Sequence, residues 1–471
     1  MKAFFKYISL SAIIVFALSQ TPKAYSQDLQ SAYFVDDYPF IYRLNPSYQP
    51  KRDFAAALLG NTNLSTHGNV GLSTFLYPHD GTLLTFMHPD VDRNEFLKKL
   101  HPINRILLNA NYNVASTGYW TKYYGKDVYN TFEINYRNNT SAKLPYNLLS
   151  FMKGGDEDNF NYNLSNVYAY TVTYIELASG ASVKLDKMQL GVRGKFLIGT
   201  HKVRMRVSQM YANLTGDAWK LSSVADITAA GGGIDKKIKT GATKQYDVIN
   251  FKSFKYNPIG FGGFGAAVDL GLKYYINDYI NLSAAINDLG VIMWFNEVQG
   301  YNDGFSWMYS KDGVEDLDFG SLGHVVNQVV NNFKSIYEFK PTNENKYSFQ
   351  SLTYNANFGA EFIMPFYDKL SIGLLASIIN SKINRYNELR ASVNVAPLSW
   401  LSLSVNTAYT TFGWEFGGMV NVSTKRFSIF AGTDSYYYRM TPQFLPINEF
   451  NTHVVFGVTY NLIKHPLSRK K

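Results

Sequence analysis

The residues of this chain that could do chemistry are charged side chains at alternate positions. Arg193 and Lys195 stand two apart, as do Glu388 and Arg390; Asp269 and Lys273 stand four apart, and Glu361 lies in another alternating run. Spacings of two and four put side chains on one face of a strand, where opposite charges can pair across neighbouring strands or line a path. Other chemistries lack their residue sets. Nucleophilic catalysis needs a serine or cysteine with a histidine and an orienting group. The chain has no cysteine and no G-x-S-x-G, and its eight histidines are scattered. Neither HExxH nor a clustered His/Asp/Glu pattern occurs, so no metal site is expected. Gly260-Phe-Gly262-Gly-Phe-Gly265 matches G-x-G-x-x-G, but Asn257-Pro258 precedes it and a strand pattern follows. A dinucleotide site needs a strand before the glycines and a helix after them. Neither enzymatic activity nor a cofactor is expected.

The elements that must position these charges show a period of two. Leu352, Tyr354, Ala356, Phe358, Ala360 and Phe362 alternate with Thr353, Asn355, Asn357, Gly359 and Glu361; after Pro365–Lys369, Leu370, Ile372, Leu374, Ala376 and Ile378 repeat the pattern. Each run is a strand with one apolar and one polar face. The chain has no long core helices to cover the apolar face, so that face is expected in lipid, on a sheet closed into a barrel. No linker divides the 471 residues, and aromatics make up 16%, with 36 Tyr and 33 Phe, which suits the interfacial girdles of such a barrel. Charge points away from nucleic acid. Of the formal +9, Lys2, Lys6 and Lys23 lie in the first 26 residues and Arg469, Lys470 and Lys471 in the tail, and no basic stripe remains.

In chain order, residues 1–26 read as a signal peptide: Lys2 and Lys6, an apolar run from Ile8 to Leu18, and a small-x-small site at Ala24-Tyr25-Ser26. This implies export to the outer membrane of a Gram-negative bacterium. Residues 27–52, with Tyr38-Pro39 and Asn45-Pro46, are not strand-like and suit a plug in the lumen or a periplasmic lead-in. Residues 53–462 hold up to sixteen candidate strands, among them 106–114, 131–137, 170–185, 188–199, 264–275 and 280–294; residues 463–471 form a basic tail. The hairpin 203–211/219–227 is the weakest and, assigned to an outer loop, leaves fourteen. Short turns at Asp186, Asn277, Asp368, Pro397 and Thr424 are expected on the periplasmic side, and long connections, notably 295–350 and 436–450, on the outer side. Short loop helices are expected over 92–100, 146–152 and 322–333. The fold class is all-β, a transmembrane antiparallel barrel of about 14 strands (12–16).

Several stretches resemble a family of uncharacterised outer-membrane barrels from Bacteroidota, itself distantly similar to FadL-type transporters of hydrophobic compounds. They are Tyr38-Pro-Phe-Ile-Tyr-Arg-Leu-Asn-Pro-Ser47, Gly68–Pro78, Leu144–Lys153, Gly191–Gly199, Gly265–Gly271 and Asn287-Asp-Leu-Gly-Val-Ile-Met-Trp294. The resemblance covers essentially the whole mature chain. It implies fourteen strands, an N-terminal plug and a kinked strand that opens the wall sideways. It carries no assigned activity or substrate.

Asn287-Asp288-Leu289-Gly290 interrupts its strand's alternation. Ile280, Leu282, Ala284 and Ile286 face lipid, so strict continuation would put Asp288 there too, and a bulge is expected to re-aim it inward. A lateral opening for an apolar substrate is the functional reading of that bulge. The candidate path lining is Arg193, Lys195, Asp269, Lys273, Asn287, Asp288, Trp294, Glu361 and Arg390. The expected partners are outer-membrane lipid and a small hydrophobic ligand, with the barrel a monomer. The alternative is a scaffold for surface or secreted proteins, without transport.

Overall fold

The structure, a computed structural model, describes residues 28–462 apart from 59, 80–81, 154–160, 216–217, 235–237, 241–246, 251–253, 255–256, 258, 311–337, 343–346, 381–384 and 436–451. The expected signal peptide, the basic tail, the expected helix over 322–333 and the whole of the connection 436–450 lie outside the described residues.

Fourteen strand positions close into an antiparallel barrel. They are β1 (Phe54–Ala57, resuming at Thr62–Gly68), β2 (Ile103–Tyr123), β3 (Lys126–Pro145), β4 (Val167–Leu185) and β5 (Met188–Thr215). Next come β6 (Ala218–Gly231, resuming at Gly263–Tyr275), β7 (Ile280–Phe295, resuming at Val298–Ser310) and β8 (Tyr347–Ser351, resuming at Tyr354–Ile363). The last six are β9 (Leu370–Asn380), β10 (Arg385–Leu398), β11 (Leu401–Thr410), β12 (Gly413–Ser423), β13 (Phe427–Thr433) and β14 (Thr452–Asn461). Each pairs with the next, and β14 returns to β1 through Asn461↔Phe54 and Phe456↔Thr62. Closure leaves no open edge, so backbone groups are satisfied without water. Among the described residues no helix is long and apolar enough to cross a bilayer.

The hairpin 203–211/219–227 is not a separate pair of wall strands. Its first half continues β5, which runs for 28 residues: Met188–Gly199 pairs with the second part of β6, and His201–Thr215 with the first. The ladder therefore rises past the wall as an extension of β5, β6 and β7, flanked on β5's other side by Val167–Thr173 of β4 and by the short strand Asn161–Asn163. β2 and β3 are likewise longer than expected, at 21 and 20 residues, and are joined at Tyr124-Gly125. Both turn residues have positive φ (48° and 76°), the twist that a two-residue hairpin requires. A membrane strand needs about 9–11 residues. β11 to β14 have 7–11, so the wall is tall on the β2–β7 side and short opposite. The expected helices form over Arg93–Lys98, with Asp92 accepting from the Glu95 N–H, and over Tyr146–Met152.

The two faces separate as the alternation predicts. Phe358, Phe362, Ile372, Leu374, Val393, Val405, Val420 and Val458 are exposed on the outer face. Their neighbours Asn357, Glu361, Ser377, Asn394, Asn406, Asn421 and Thr459 are buried on the inner one. Leu352 departs from the expectation. It does not face lipid: β8 breaks at Leu352-Thr353, and Leu352 is buried against Tyr174, Leu197, Ile292 and Trp294.

Residues 28–50 pack against the inner face of the wall. Two single 3₁₀ turns, Gln30–Ala32 and Ile41–Arg43, fold the segment compactly. Tyr33, Tyr38, Phe40, Ile41, Tyr42 and Leu44 are each at most 2% exposed. They form a core with Phe54, Tyr129, Leu375, Met419, Phe430 and Val455 from the wall's inner face. Phe40 meets Phe54 and Phe430 edge-on, at 5.3 and 5.8 Å between ring centroids.

The lipid-facing assignment is testable at Val405, which is 69% exposed in the middle of β11. Val405→Arg should destabilise the barrel by about 2–4 kcal/mol, and Val405→Leu by almost nothing. Equilibrium unfolding from lipid vesicles measures both. Equal stability of the two variants would move this face out of the hydrocarbon.

Candidate functional site

The wall's inner face concentrates charge on β3 to β7. Strand parity sends Glu133, Asn135 and Arg137 of β3, Glu176 of β4, Arg193 and Lys195 of β5 and Asp269 of β6 into the lumen, all at most 5% exposed. Asp288 of β7 joins them through a bulge. Val268 pairs with Leu289 and Leu270 with Ile286, so β7 carries one extra residue here, and Asp288 takes φ 62°. Its own N–H donates to Asp269 Oδ1 at 2.7 Å.

These groups form a closed network. Arg193 bridges Asp269 at 3.0 Å and Glu133 at 2.5 Å. Lys195 bridges Asp269 at 2.7 Å and Asp288 at 2.5 Å. Arg137 bridges Glu176 and Asp288, each at 3.0 Å. The fourth cation comes from the lumenal segment: Arg43 donates from Nε to Glu133 at 2.8 Å and from Nη2 to Asn135 at 2.9 Å. The Tyr42 hydroxyl donates to the same carboxylate at 2.7 Å. Four cations thus face four carboxylates, with Asp28 at 3.9 Å from Arg43 on the margin. A buried network in which each charge meets opposite partners holds structure.

The candidate path-lining residues divide among five places. Arg193, Lys195, Asp269 and Asp288 meet in this network. Asn287 points beside it and donates to the Leu44 carbonyl at 3.0 Å, as Asn357 does at 3.1 Å. Lys273 and Glu361 form a separate pair at 3.5 Å, joined by Asn281, under the Tyr48 ring. Trp294 is fully buried above the bulge, its indole N–H donating to Gln350 at 3.0 Å. Arg390 lies in a second cluster with Glu388 at 2.5 Å, near Glu415 and Asp434.

That second cluster also grips the lumenal segment. Asp434 accepts from the Gln30 and Ser31 backbone N–H groups at 2.8 and 2.6 Å and sits 2.7 Å from His453 Nδ1. His453 Nε2 lies 3.0 Å from Asn63 Oδ1. A third contact is made without side chains on the wall. Gly191 and Gly271 are register partners facing the lumen, and an added Cβ on either would strike the turn Asn45-Pro46-Ser47. Asn45 donates from there to the Leu272 and Ala284 carbonyls, at 3.3 Å each.

The wall is irregular at one level. Above Asp288, β7 turns Ile292 and Trp294 inward instead of odd-numbered residues. β8 changes phase at the same level. Asn287↔Asn355 and Val291↔Ser351 are paired, but between them the strands are joined only by Leu352 N–H donating to the Gly290 carbonyl at 2.9 Å, among the described contacts. The result is a seam between β7 and β8.

Sequence reasoning missed Arg43, Arg137, Glu133, Glu176, Asp434 and His453 as members of these clusters. Glu133 and Arg137 sit at alternate positions in a recognised strand, so the signal was present. Arg43→Ala should destabilise the protein by about 3–5 kcal/mol, because Glu133 loses a buried partner. Arg43→Met with Glu133→Gln should recover much of that. Urea unfolding, with proteolysis of residues 28–50 as the local readout, checks it; an unchanged midpoint would mean that the segment rests in the lumen without stabilising it.

The extension of the likeness to known proteins is broad but shallow. No curated protein sequence matches the chain. The toluene transporter TbuX of Ralstonia pickettii is 8% identical, with 90% of this chain and 94% of that one covered and a TM-score of 0.39. For the Pseudomonas putida toluene transporter TodX the values are 8%, 93%, 94% and 0.35. The translocator domain of the autotransporter NalP from Neisseria meningitidis gives 8%, 87%, 88% and 0.29. Residues 46–434, which include the wall residues of the charge network and the seam, match the model of the family of unknown function DUF5723, and the chain belongs to that family.

Proposed function

We propose that this protein is an outer-membrane barrel that passes small hydrophobic molecules, with residues 27–52 as its plug and release sideways through the wall. The observation that carries the reading is the seam. Two adjacent strands change phase together at Asp288 and Leu352, and between Asn287↔Asn355 and Val291↔Ser351 their ladder is nearly unpaired among the described contacts. An apolar lumenal patch of Tyr174, Leu197, Ile292, Trp294 and Leu352 lies directly against it. An apolar molecule crossing there goes from an apolar lining to lipid without entering water. The charges contribute by fixing the β7 side of the seam, where Arg137 of β3 and Lys195 of β5 pin Asp288; Asn287 of β7 and Asn357 of β8 are tied to each other through the Leu44 carbonyl of the plug. In this reading Arg193, Lys195, Asp269, Lys273, Asn287, Glu361 and Arg390 fasten the path, and Trp294 lines it.

The absence of native cysteine makes the test clean. Val291 and Ser351 are register partners at the seam's edge. A Val291→Cys/Ser351→Cys pair, once oxidised, locks β7 to β8. Cells carrying the unlocked protein should take up a medium-chain fatty acid faster than cells without it. Oxidation should reduce that uptake about tenfold, and reductant should restore it, since about 1.4 kcal/mol on the opening equilibrium is enough. Uptake unaffected by the lock would remove the lateral route. No uptake at all would leave the scaffold reading, for which the extension of β5, β6 and β7 offers the surface.

A further inference from the structure

The outer face of the wall carries a groove of about 870 Å³, within the size range of small-molecule sites. It runs from the β2–β3 turn across β3 to β8 and is lined by Leu190, Val192, Leu272, Ala284, Ile286 and Phe358. Two features shape it. Ala181, Ala284 and Ala356 point outward where their register partners are Val192, Leu272 and Ile286, so the wall is hollow along that line. Behind the hollow, Gly191 and Gly271 have no side chains inside, and their backbone rests on the Asn45–Ser47 turn. The concave surface is therefore supported from within and preformed. At the short-turn end the groove finishes at Tyr123, Tyr124 and Lys126, all exposed. Lys126 is the single charged residue lining it among the described residues.

We infer that this groove is a binding site for one phospholipid of the surrounding leaflet. Its acyl chain lies along the alanine line and its phosphate sits at Lys126. Apolar lining alone would fit any hydrophobic chain. A lone cation beside exposed tyrosines, at the end where the strands leave the bilayer, selects a chain with an anionic head at headgroup depth. The inference does not depend on transport.

The test uses full-length protein in detergent, stripped of lipid and titrated with dioleoyl phosphatidylglycerol under native mass spectrometry. One lipid per chain should be retained. Ala284→Trp, and separately Ala181→Phe, should each reduce occupancy about tenfold by filling apolar space. Lys126→Gln should weaken phosphatidylglycerol about fivefold and leave dioleoylglycerol unchanged. Both bulky residues face lipid, and a heat-modifiable gel shift confirms folding before each titration. No retained lipid, occupancy indifferent to both bulky variants, or a protein dimer in place of the lipid would overturn the site. Equal binding of the two lipids by the Lys126→Gln and parent proteins would overturn the headgroup assignment.

Discussion

A sheet that gives one face to hydrocarbon must find partners for everything on the other. That constraint governs this molecule. Alternation sends every second residue into a lumen already occupied by protein, where water cannot satisfy the charges that arrive. Burying a lone carboxylate or guanidinium there is prohibitive, so each must meet its opposite. Glu133 shows the solution: it accepts from Arg193 of the wall, and from Arg43 and Tyr42 of the lumenal segment. The N-terminal segment is thus a structural complement of the wall, supplying a cation, a hydroxyl and an aromatic core where the strands alone would leave charge uncompensated.

The seam has meaning against that background. Other irregularities occur in the wall: β1 is interrupted between Ala57 and Thr62, and single register shifts fall at Asn113/Ala115, Thr173/Tyr174 and Val395/Leu398. At Asp288 the alternation slips by one residue on β7, and β8 slips beside it. A single bulge is a common way to re-aim a side chain. Two in register make a level at which β7 is held through Asp288 to Arg137 of β3 and Lys195 of β5, while its ladder to β8 is thinned.

How much of this was legible in the sequence depends on the range of the signal. Lipid-facing and lumen-facing residues were readable because parity is local: Phe358 and Asn357 declare their faces within a few neighbours. The inward turn of Asp288 was readable too, since leaving it outward would put a carboxylate in lipid. Leu352 was misread because nothing nearby breaks its pattern; its inward turn follows from the slip on β7, sixty residues earlier in the chain by rough count and adjacent only in the folded sheet. Arg43, Asp434 and His453 were missed for the same reason. Each is ordinary in its own segment and acquires its role from partners on remote strands. The extension of β5 was half-seen: its alternation continued, but nothing local says that a strand is taller than the membrane.

The grip of Asp434 on the first turn of the lumenal segment has a consequence for how the protein comes to exist. Its bonds to Gln30 and Ser31 join residues 404 and 403 apart in sequence. Contacts of such long range carry the largest loop-closure entropy and form late. Asp434 follows β13, and the His453 beside it belongs to β14, the strand that closes the ring on β1. Seating the first turn of the lumenal segment and closing the ring at β14 are thereby coupled through one carboxylate, so that neither set of contacts is complete without the other.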